Sequence, residues 1–195
     1  MREASITRKT GETDIALRLN LDGSGRAKVD TGVGFLNHML ELFARHGRFD
    51  LEVRCQGDTC VDDHHSVEDI GIALGQALDQ ALGDKKGIRR YGQRLLPMDE
   101  TLILAAVDLS GRSYLGYRLQ LPAQKVGAFD TELGEEFFLG FVRNARCTLH
   151  IQQLAGANSH HILEGTFKSV ARALREAVEM DPDAPEEIPS TKGIL

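Results

Sequence analysis

The sequence predicts an α+β fold built from an internally duplicated unit, with strands and two helices in each half. Three observations lead to this prediction. The segment His64-His65-Ser66-Val67-Glu68 returns as His160-His161-Ile162-Leu163-Glu164, so the chain carries one HHxxE pattern twice. A strand-like stretch followed by Ser-Gly-Arg also occurs twice, at 24–26 and at 110–112. The order of strand and helix patterns is the same around both copies, which indicates a tandem repeat.

The first half contains five predicted elements. Alternation of apolar and polar residues predicts strands, and apolar residues three or four apart predict helices. In chain order these patterns give a strand at 15–21, a return strand starting at 27–30, a helix from 35 to 47, a strand at 51–55 and a helix from 66 to 82. The turn residues Asp22-Gly23-Ser24-Gly25 predict that the first two strands form a β-hairpin. Gly83 is expected to close the last helix, because glycine readily adopts the left-handed conformation.

The second half repeats this order. Its patterns give a strand within 98–109, a return strand at 114–121, a helix at 135–141, a short strand at 147–151 and an amphipathic helix at 167–178 after the second HHxxE. Aligning the halves pairs His38 with Glu136 and Glu12 with Glu100. Because one such unit leaves a face unburied, each half is expected to be a sheet covered by two helices.

These elements predict one catalytic domain that spans 1–195. It would consist of two tandem repeats, at about 1–92 and 93–180, followed by a substrate-binding tail at 181–195. The tail is acidic and contains prolines, so we expect it not to be helical.

Composition restricts the possible functions. A chain of 195 residues that is 42% hydrophobic can bury a sizeable core without disulfides. The net charge of -6, with scattered Lys and Arg, argues against a nucleic-acid or anionic-membrane surface. Cys55, Cys60 and Cys147 are widely spaced and odd in number, as expected for reduced thiols. The N-terminus lacks an apolar signal region and no apolar run approaches a membrane span, so we expect a soluble cytoplasmic protein.

The HHxxE copies have the residue types of a metal site. On a helix, the first His and the Glu lie on one face, and the second His lies about 100° around the axis. Imidazole and carboxylate suit divalent transition metals, so two facing copies would suit a pair of ions, and the absence of cysteine ligands favours manganese over zinc or iron. His38 and Glu136 would each add a ligand from the other helix of its half. A single His pair would fit an ordinary core or surface role equally well. His46, just before Gly47, is expected at a helix end or beside the ligands rather than among them, and His150, in the middle of a strand, is expected to be structural.

Other residues could hold an anion or transfer a proton. The anion-binding candidates are Arg90, Arg112, Lys168, Ser190 and Lys192. Each taken singly would also fit a solvated surface position. Lys168 stands out, because it follows Glu164 by four residues and so lies one helical turn from a presumed ligand. The carboxylates outside the two motifs that could transfer protons are Glu12, Asp99, Glu100 and Asp108. Together these residues predict a dimetal enzyme that acts on a small anionic substrate.

A series of longer motifs covers nearly the whole chain. In order they are Gly34-Phe35-Leu36-Asn37-His38-Met39-Leu40, Asp62-Asp63-His64-His65 with Glu68-Asp69, Asp108-Leu109-Ser110-Gly111-Arg112, Gly156-Ala157-Asn158-Ser159-His160-His161 with Glu164, Phe167-Lys168, and Pro189-Ser190-Thr191-Lys192-Gly193. At these residues the chain resembles the imidazoleglycerol-phosphate dehydratases. The resemblance implies helices packed between sheets and an assembly of twenty-four identical subunits, with dimanganese sites where subunits meet.

The resemblance also implies roles for individual residues. The implied manganese ligands are His38, His64, His65, Glu68, Glu136, His160, His161 and Glu164. Glu136 departs from some family members, which have His there. Arg90, Arg112, Lys168, Ser190 and Lys192 match positions that hold the substrate and its phosphate. Glu12 matches an acid–base candidate, and we group it with Glu68 and Glu164 as catalytic.

The implied activity is that of a metal-dependent hydro-lyase in histidine biosynthesis. Such an enzyme converts imidazole glycerol phosphate to imidazole acetol phosphate, and two Mn²⁺ ions per active site would hold the imidazole ring as imidazolate. Two alternatives use the same residues. One is a dimetal phosphoester hydrolase acting on a small anionic substrate, and the other is a metal-storage or assembly protein without activity.

Overall fold

The structure is a computed structural model that describes residues 2–195. Its elements are β1 (Glu3–Lys9), β2 (Thr13–Asn20), β3 (Ala27–Asp30), α1 (Gly34–Gly47), β4 (Asp50–Gly57), α2 (His64–Leu82), β5 (Tyr91–Met98), β6 (Thr101–Asp108), β7 (Tyr114–Arg118), β8 (Lys125–Val126), β9 (Phe129–Asp130), α3 (Leu133–Ala145), β10 (Thr148–Ala155) and α4 (Ser159–Val178). The expected α+β fold class is confirmed. Within residues 2–195, every helix is too short or too polar to cross a membrane.

Each half forms a four-stranded sheet with the same strand order. The order is β1-β2-β4-β3 in the first sheet and β5-β6-β10-β7 in the second. In the first sheet β4 runs antiparallel to β2 and parallel to β3. In the second, β10 runs antiparallel to β6 and parallel to β7. The halves therefore share connectivity as well as element order, as a duplicated unit requires.

The predicted hairpins between the first and second strand patterns of each half are wrong. β4 lies between β2 and β3, so Val53 pairs with Leu17 on one side and with Val29 on the other. The physical reason lies in burial. β4 buries every second residue, which suits a central strand, whereas none of the four residues of β3 is fully buried and β3 forms an edge. In the second half the strand that starts at Tyr114 likewise pairs with β10 and ends at Arg118.

The sequence analysis missed the first strand of each half and one small hairpin. β1 and β5 are edge strands in which Ala4 and Gly92, respectively, are the only fully buried residues, so neither shows a clear apolar alternation. The β8–β9 hairpin lies in the connection from β7 to α3. The corresponding connection of the first half, from β3 to α1, is only residues 31–33. This hairpin therefore belongs to the second half alone.

The four helices lie between the two sheets. α2 packs on β1 and β2, α4 packs on β5 and β6, and helices of different halves pair as α1 with α4 and α2 with α3. Glycines let α2 and α3 approach closely. A Cβ atom added at Gly71 would lie 2.3 Å from the carbonyl oxygen of Phe137, and one added at Gly75 would lie 2.4 Å from that of Phe141. Packing between the halves thus sets where both HHxxE segments sit.

The tail at 181–195 contains no helix or strand, as expected. It lies against the segment that joins the halves. The amide of Gly87 donates to the carbonyl of Glu187 at 2.8 Å, and Arg90 Nη1 donates to the carbonyl of Pro189 at 2.7 Å. The tail is therefore attached beside Arg90, one of the anion-binding candidates.

Candidate metal centre

The second HHxxE forms the first turns of α4. Asn158 caps this helix, because its side-chain oxygen accepts hydrogen bonds from the amides of His160 at 2.9 Å and His161 at 3.3 Å. One turn later, Glu164 lies on the same face as His160, and its Oε2 is 3.0 Å from His160 Nε2. The cap thus fixes the helical register that brings these two donor atoms together.

His38 completes a cluster of three donors. It lies on α1, which packs against α4, and its Nε2 is 3.5 Å from Glu164 Oε2. Donor atoms of His38, His160 and Glu164 all lie within 4.8 Å of one another. Neighbouring ligands of an octahedral ion with bonds of about 2.1 Å are roughly 3 Å apart. The cluster therefore fits a divalent ion, with one ligand from the first half and two from the second.

The environment of Glu164 keeps it in its ionised form. Burial raises the pKa of this carboxyl group, but hydrogen bonds from Lys168 and His160 outweigh burial and the net pKa is lowered. Lys168 bonds to Oε1, which leaves Oε2 to face the two imidazoles. The expected position of Lys168 next to a presumed ligand is confirmed. His46 lies nearby, and its pKa is lowered by burial and by the positive charge of Lys168.

The first HHxxE forms the start of α2 but does not gather a third donor. His64 Nε2 is 3.8 Å from Glu68 Oε2, whereas the corresponding pair in α4 is hydrogen-bonded at 3.0 Å. Glu136 lies half-buried on α3, which packs against α2. Across residues 2–195, however, His38, His160 and Glu164 are the only three-donor group, so Glu136 does not join His64 and Glu68 in one.

The second histidine of each copy points in a different direction from the first. The ring planes of His64 and His65 are 82° apart, and those of His160 and His161 are 86° apart. This geometry agrees with the helical argument that each segment offers its two imidazoles to different places. The second imidazole of each copy is therefore directed away from the first and could bind a different ion or contact a different molecule.

Carboxylates orient these second imidazoles. His65 Nδ1 is 3.0 Å from Asp58 Oδ2, and its Nε2 is 4.0 Å from Glu12 Oε1. His161 Nδ1 is 2.8 Å from Glu100 Oε2. The hydrogen bonds that His65 and His161 donate to Asp58 and Glu100, respectively, raise the pKa of both histidines. Asp58 is not among the residues nominated from the sequence, because an aspartate directly after a strand is common there and only the contact with His65 gives it a role.

The predicted anion-binding residues do not collect in one place. Arg90 forms a two-point ion pair with Asp108, with Nε 2.7 Å from Oδ1 and Nη2 3.2 Å from Oδ2. Arg112 lies 3.8 Å from the same carboxylate. In the tail, the amide of Lys192 donates to Ser190 Oγ at 3.2 Å. Arg90 and Arg112 therefore share Asp108 as their common partner, whereas Lys168 is bonded to Glu164.

Helix α4 separates Arg90 from the metal cluster. The amide of Arg90 donates to the carbonyl of Ala177, near the C-terminal end of α4. Glu164 lies thirteen residues earlier on the same helix. At a rise of about 1.5 Å per residue, these two positions are roughly 20 Å apart. Within one chain, the cluster and the Arg90–Asp108 pair therefore lie at different places.

A cavity of about 680 Å³ opens beside the cluster and has His38 and His160 in its wall. Its apolar side includes Phe35 and Phe129, whose ring centroids are 5.0 Å apart. Phe35 also meets the edge of the His160 ring at 5.4 Å. Phe129 belongs to the β8–β9 hairpin, so the insertion of the second half forms part of this wall. The size suits a small-molecule ligand.

The remaining histidine and the cysteines lie outside the cluster. His150 is exposed on β10, where its ring packs against Tyr114 at 5.3 Å. All three cysteines are free, with Cys55 and Cys147 buried and Cys60 exposed. Burial raises the pKa of the Cys147 thiol to about 12. The structure therefore places none of these residues among the predicted ligands.

Comparisons with known proteins agree on one family. The family model for imidazoleglycerol-phosphate dehydratase matches residues 31–174. A protein of that name from a Synechococcus strain is 57% identical over 195 residues, which is 100% of this chain and 96% of the relative. Another from a Jannaschia strain is 58% identical over 100% of both chains.

Solved structures agree as well. The crystal structure of imidazoleglycerol-phosphate dehydratase from Staphylococcus aureus superposes with a TM-score of 0.83 at 45% identity, covering 91% of this chain and 99% of the other. The structure of the Pyrococcus furiosus protein gives a TM-score of 0.85 at 36% identity, covering 97% and 100%. The likeness thus extends over almost the entire chain in both sequence and fold.

Proposed function

The chain belongs to the imidazoleglycerol-phosphate dehydratase family, and from this premise we propose that it converts imidazole glycerol phosphate to imidazole acetol phosphate in histidine biosynthesis. One observation of the structure carries the proposal furthest. His38 from the first half meets His160 and Glu164 from the second, with donor atoms within 4.8 Å. This cluster contains the ligand types that the HHxxE pattern predicted, supplied by His38 and by one of the two copies.

We propose that each active site holds two Mn²⁺ ions. The ligands would be His38, His64, His65, Glu68, Glu136, His160, His161 and Glu164. The donor set supports this, because imidazole nitrogens and carboxylate oxygens without thiolates suit manganese. The side chains of His38 and His160 are 48% and 42% exposed, which would leave coordination positions open to the substrate.

The reaction needs charge stabilisation, because no carbonyl group acidifies the carbon that loses its proton. Two Mn²⁺ ions held by the proposed ligands would supply positive charge that stabilises negative charge developing on the substrate ring. We assign Glu12 as the base, since its carboxylate is half-exposed and lies 4.0 Å from His65 Nε2. Glu12 takes the proton from carbon, the C–H electron pair forms the double bond of an enol, and the C–O bond of the neighbouring carbon breaks to release hydroxide. Glu12 then gives up its proton, which together with the hydroxide makes the eliminated water. The enol then becomes the ketone.

Arg90, Arg112, Lys168, Ser190 and Lys192 are proposed to hold the phosphate. Arginine offers paired donors to phosphate oxygens and lysine offers a point charge. Arg90 is already oriented by Asp108, so it could exchange this partner for phosphate with little rearrangement. By holding the phosphate, these residues would place the glycerol carbons next to Glu12.

The separation of these groups supports an active site shared between subunits. Glu164 and the attachment point of Arg90 are roughly 20 Å apart along α4. The substrate chain that joins ring and phosphate spans less than about 10 Å. This separation favours a site in which Arg90 and the pair His160–Glu164 come from different chains. We propose a homo-oligomer of twenty-four subunits in which neighbouring chains complete each site.

Mixing two inactive variants tests the shared site. His160→Gln removes a proposed ligand and Arg90→Gln removes a proposed phosphate contact. If the two residues of one site come from different chains, subunits mixed after dissociation and reassembly recover a fraction of the parent turnover. Reassembled mixtures that stay inactive, while parent subunits treated in the same way regain activity, would show that one chain supplies both residues.

The reaction itself is tested by product analysis. Purified protein with Mn²⁺ and imidazole glycerol phosphate is expected to form imidazole acetol phosphate, with the phosphate still attached. His160→Gln should abolish this turnover. The matched control is His150→Gln, because that histidine is exposed on β10 away from the cluster, and it should retain parent activity.

The alternative functions predict other outcomes. A dimetal phosphoester hydrolase would release inorganic phosphate and leave the side chain otherwise intact, so that product would contradict the dehydratase proposal. A metal-storage protein would bind manganese but turn over no substrate, and it would need neither Lys168 nor Lys192.

A further inference from the structure

Glu100 ties His161 to the loop that precedes α4. It lies between β5 and β6, and its Oε2 accepts a hydrogen bond from His161 Nδ1 at 2.8 Å. Its Oε1 accepts from the backbone amides of Asn158 at 3.0 Å and Ala157 at 3.3 Å. One carboxylate thus fixes both the imidazole and the backbone on which the helix begins.

Gly156 makes this arrangement possible. Its φ is +125°, and a Cβ atom added there would lie 2.4 Å from Oγ1 of Thr101, the residue after Glu100. The loop therefore approaches the start of β6 more closely than any side chain at this position would allow. This close approach brings the amides of 157 and 158 within reach of Glu100.

The hydrogen bond from Nδ1 determines the tautomer of His161. Because an ionised carboxylate only accepts hydrogen bonds, Nδ1 must carry the proton. Nε2 of the neutral ring then presents its lone pair on the opposite side, in the form that binds a metal ion. Histidine ligands of metals characteristically donate their other ring N–H to a carboxylate or carbonyl in this way.

The two halves use different carboxylates for this task. Glu12 occupies the place in the first half that Glu100 occupies in the second, just before β2 and β6 respectively. His65 Nδ1, however, is held by Asp58 at 3.0 Å. Among residues 2–195, no hydrogen bond holds the side chain of Glu12, which is 53% exposed. Duplication has thus left one glutamate hydrogen-bonded to an imidazole, whereas the side chain of its counterpart makes no hydrogen bond among residues 2–195.

We propose that Glu100 is the positioning residue of the second half, which orients His161 for metal binding, while Asp58 has taken over that task in the first half and left Glu12 available for proton transfer. This inference rests on the proposed dimetal function. Glu100 itself touches neither the metal nor the substrate. It acts through the imidazole of His161.

Glu100→Gln tests the assignment with little change in shape. The amide oxygen of Gln can still accept from the backbone amides of 157 and 158, but its NH₂ group faces Nδ1 and can only donate. The ring would then carry its proton on Nε2, where it blocks the metal. The matched control is Glu52→Gln, which makes the same change from carboxylate to amide at an exposed position of β4, in the other sheet.

The first readout is Mn²⁺ affinity, measured by calorimetric titration of the metal-depleted full-length protein. Removing the carboxylate that hydrogen-bonds to a metal-binding histidine weakens metal binding by about 10- to 100-fold. Glu100→Gln should therefore lower the Mn²⁺ affinity of the ion held by His161 by this factor. Glu52→Gln should remain within about twofold of the parent. Glu12→Gln should also keep the parent affinity, although it loses turnover. Glu100→Asp, which keeps a carboxylate, should recover part of the lost affinity.

The second readout separates orientation from structural damage. Amide hydrogen exchange of the segment 156–159 should be the same in Glu100→Gln as in the parent, because the backbone hydrogen bonds are kept. Parent-like Mn²⁺ affinity in Glu100→Gln overturns the inference. Equal losses of Mn²⁺ affinity and of amide protection in Glu100→Gln and Glu100→Asp would also overturn it, because they would show that Glu100 only holds the loop in place. A parent protein that binds no manganese contradicts the dimetal function itself, and the inference fails with it.

Discussion

Gly71→Ala tests whether the close packing of α2 on α3 holds the two halves in register. A Cβ atom at position 71 would lie 2.3 Å from the carbonyl oxygen of Phe137, 3.1 Å from its carbonyl carbon and 3.3 Å from its Cα. Ordinary contact begins near 3.4 Å, so the two helices would have to separate by about 1 Å. Both contacting segments are helix backbone, so no side chain can rotate away. Overpacking of this kind costs about 1 to 3 kcal/mol.

Denaturant titration measures this cost as a change in the free energy of unfolding at constant protein concentration. The matched control is Gly11→Ala, because a Cβ atom at that exposed position meets no atom within 4 Å. We expect Gly71→Ala to lose about 1 to 3 kcal/mol and Gly11→Ala to stay within about 0.5 kcal/mol of the parent. A Gly71→Ala protein as stable as the parent would refute the view that backbone contact between α2 and α3 sets their spacing.

Two further predictions concern charged groups. Lys168→Met leaves the buried Glu164 without its cation, so the metal-free protein should lose about 1.5 to 3 kcal/mol of unfolding free energy. Lys9→Met breaks an exposed pair with Asp14, which solvent screens, and should lose much less. Equal losses in thermal or denaturant unfolding would contradict this. Asp50 has a pKa well below its usual value, because Arg26 and the amides of Arg26 and Ser24 bond to it against the effect of burial. The ionised Asp50 carboxylate stabilises the fold above the unfolded-state pKa of about 3.9, and this stabilisation is lost as the pH falls through the lower folded-state pKa. Asp50→Asn should therefore lower the free energy of unfolding by about 1 kcal/mol at pH 7 and leave it unchanged in strong acid. A difference that does not shrink below pH 3 would exclude this linkage.

The sequence predicted those features that depend on local periodicity. The helices at α1 and α2 and the central strands bury a regular apolar face, and a pattern of this kind is visible along the chain. Strand pairing was predicted wrongly, because which strands become neighbours depends on contacts between segments far apart in sequence. β4 entered between β2 and β3 although the turn after β2 favoured a hairpin.

The residues of the candidate site also divide into those that the sequence nominated and those that only the fold reveals. The HHxxE repeat and the alignment of its halves were sufficient to nominate His38, which the structure brings to His160 and Glu164. Asp58 was not nominated, because an aspartate that follows a strand is ordinary at the level of sequence and gains meaning only from the 3.0 Å contact with His65. Glu100 was nominated for proton transfer, yet its hydrogen bonds to two backbone amides and one imidazole indicate a positioning role.

Glu136 remains the point where the two halves differ most in ligand chemistry. It aligns with His38 and lies on α3, but the single chain does not bring it to His64 and Glu68 as His38 is brought to His160 and Glu164. In the proposed assembly, a neighbouring subunit would have to complete this second set of ligands. The β8–β9 hairpin is another difference between the halves, because it forms a wall of the cavity beside His160 and has no counterpart in the first half.

The central claim is that dehydration requires the manganese held by the two HHxxE segments. It is tested most directly by measuring manganese content by elemental analysis together with turnover of imidazole glycerol phosphate, across a series of samples progressively depleted with a chelator. We predict about two manganese ions per chain in the fully active protein, turnover that falls with metal content, and recovery when Mn²⁺ is restored. Metal-free protein that still dehydrates the substrate at the full rate would contradict the claim.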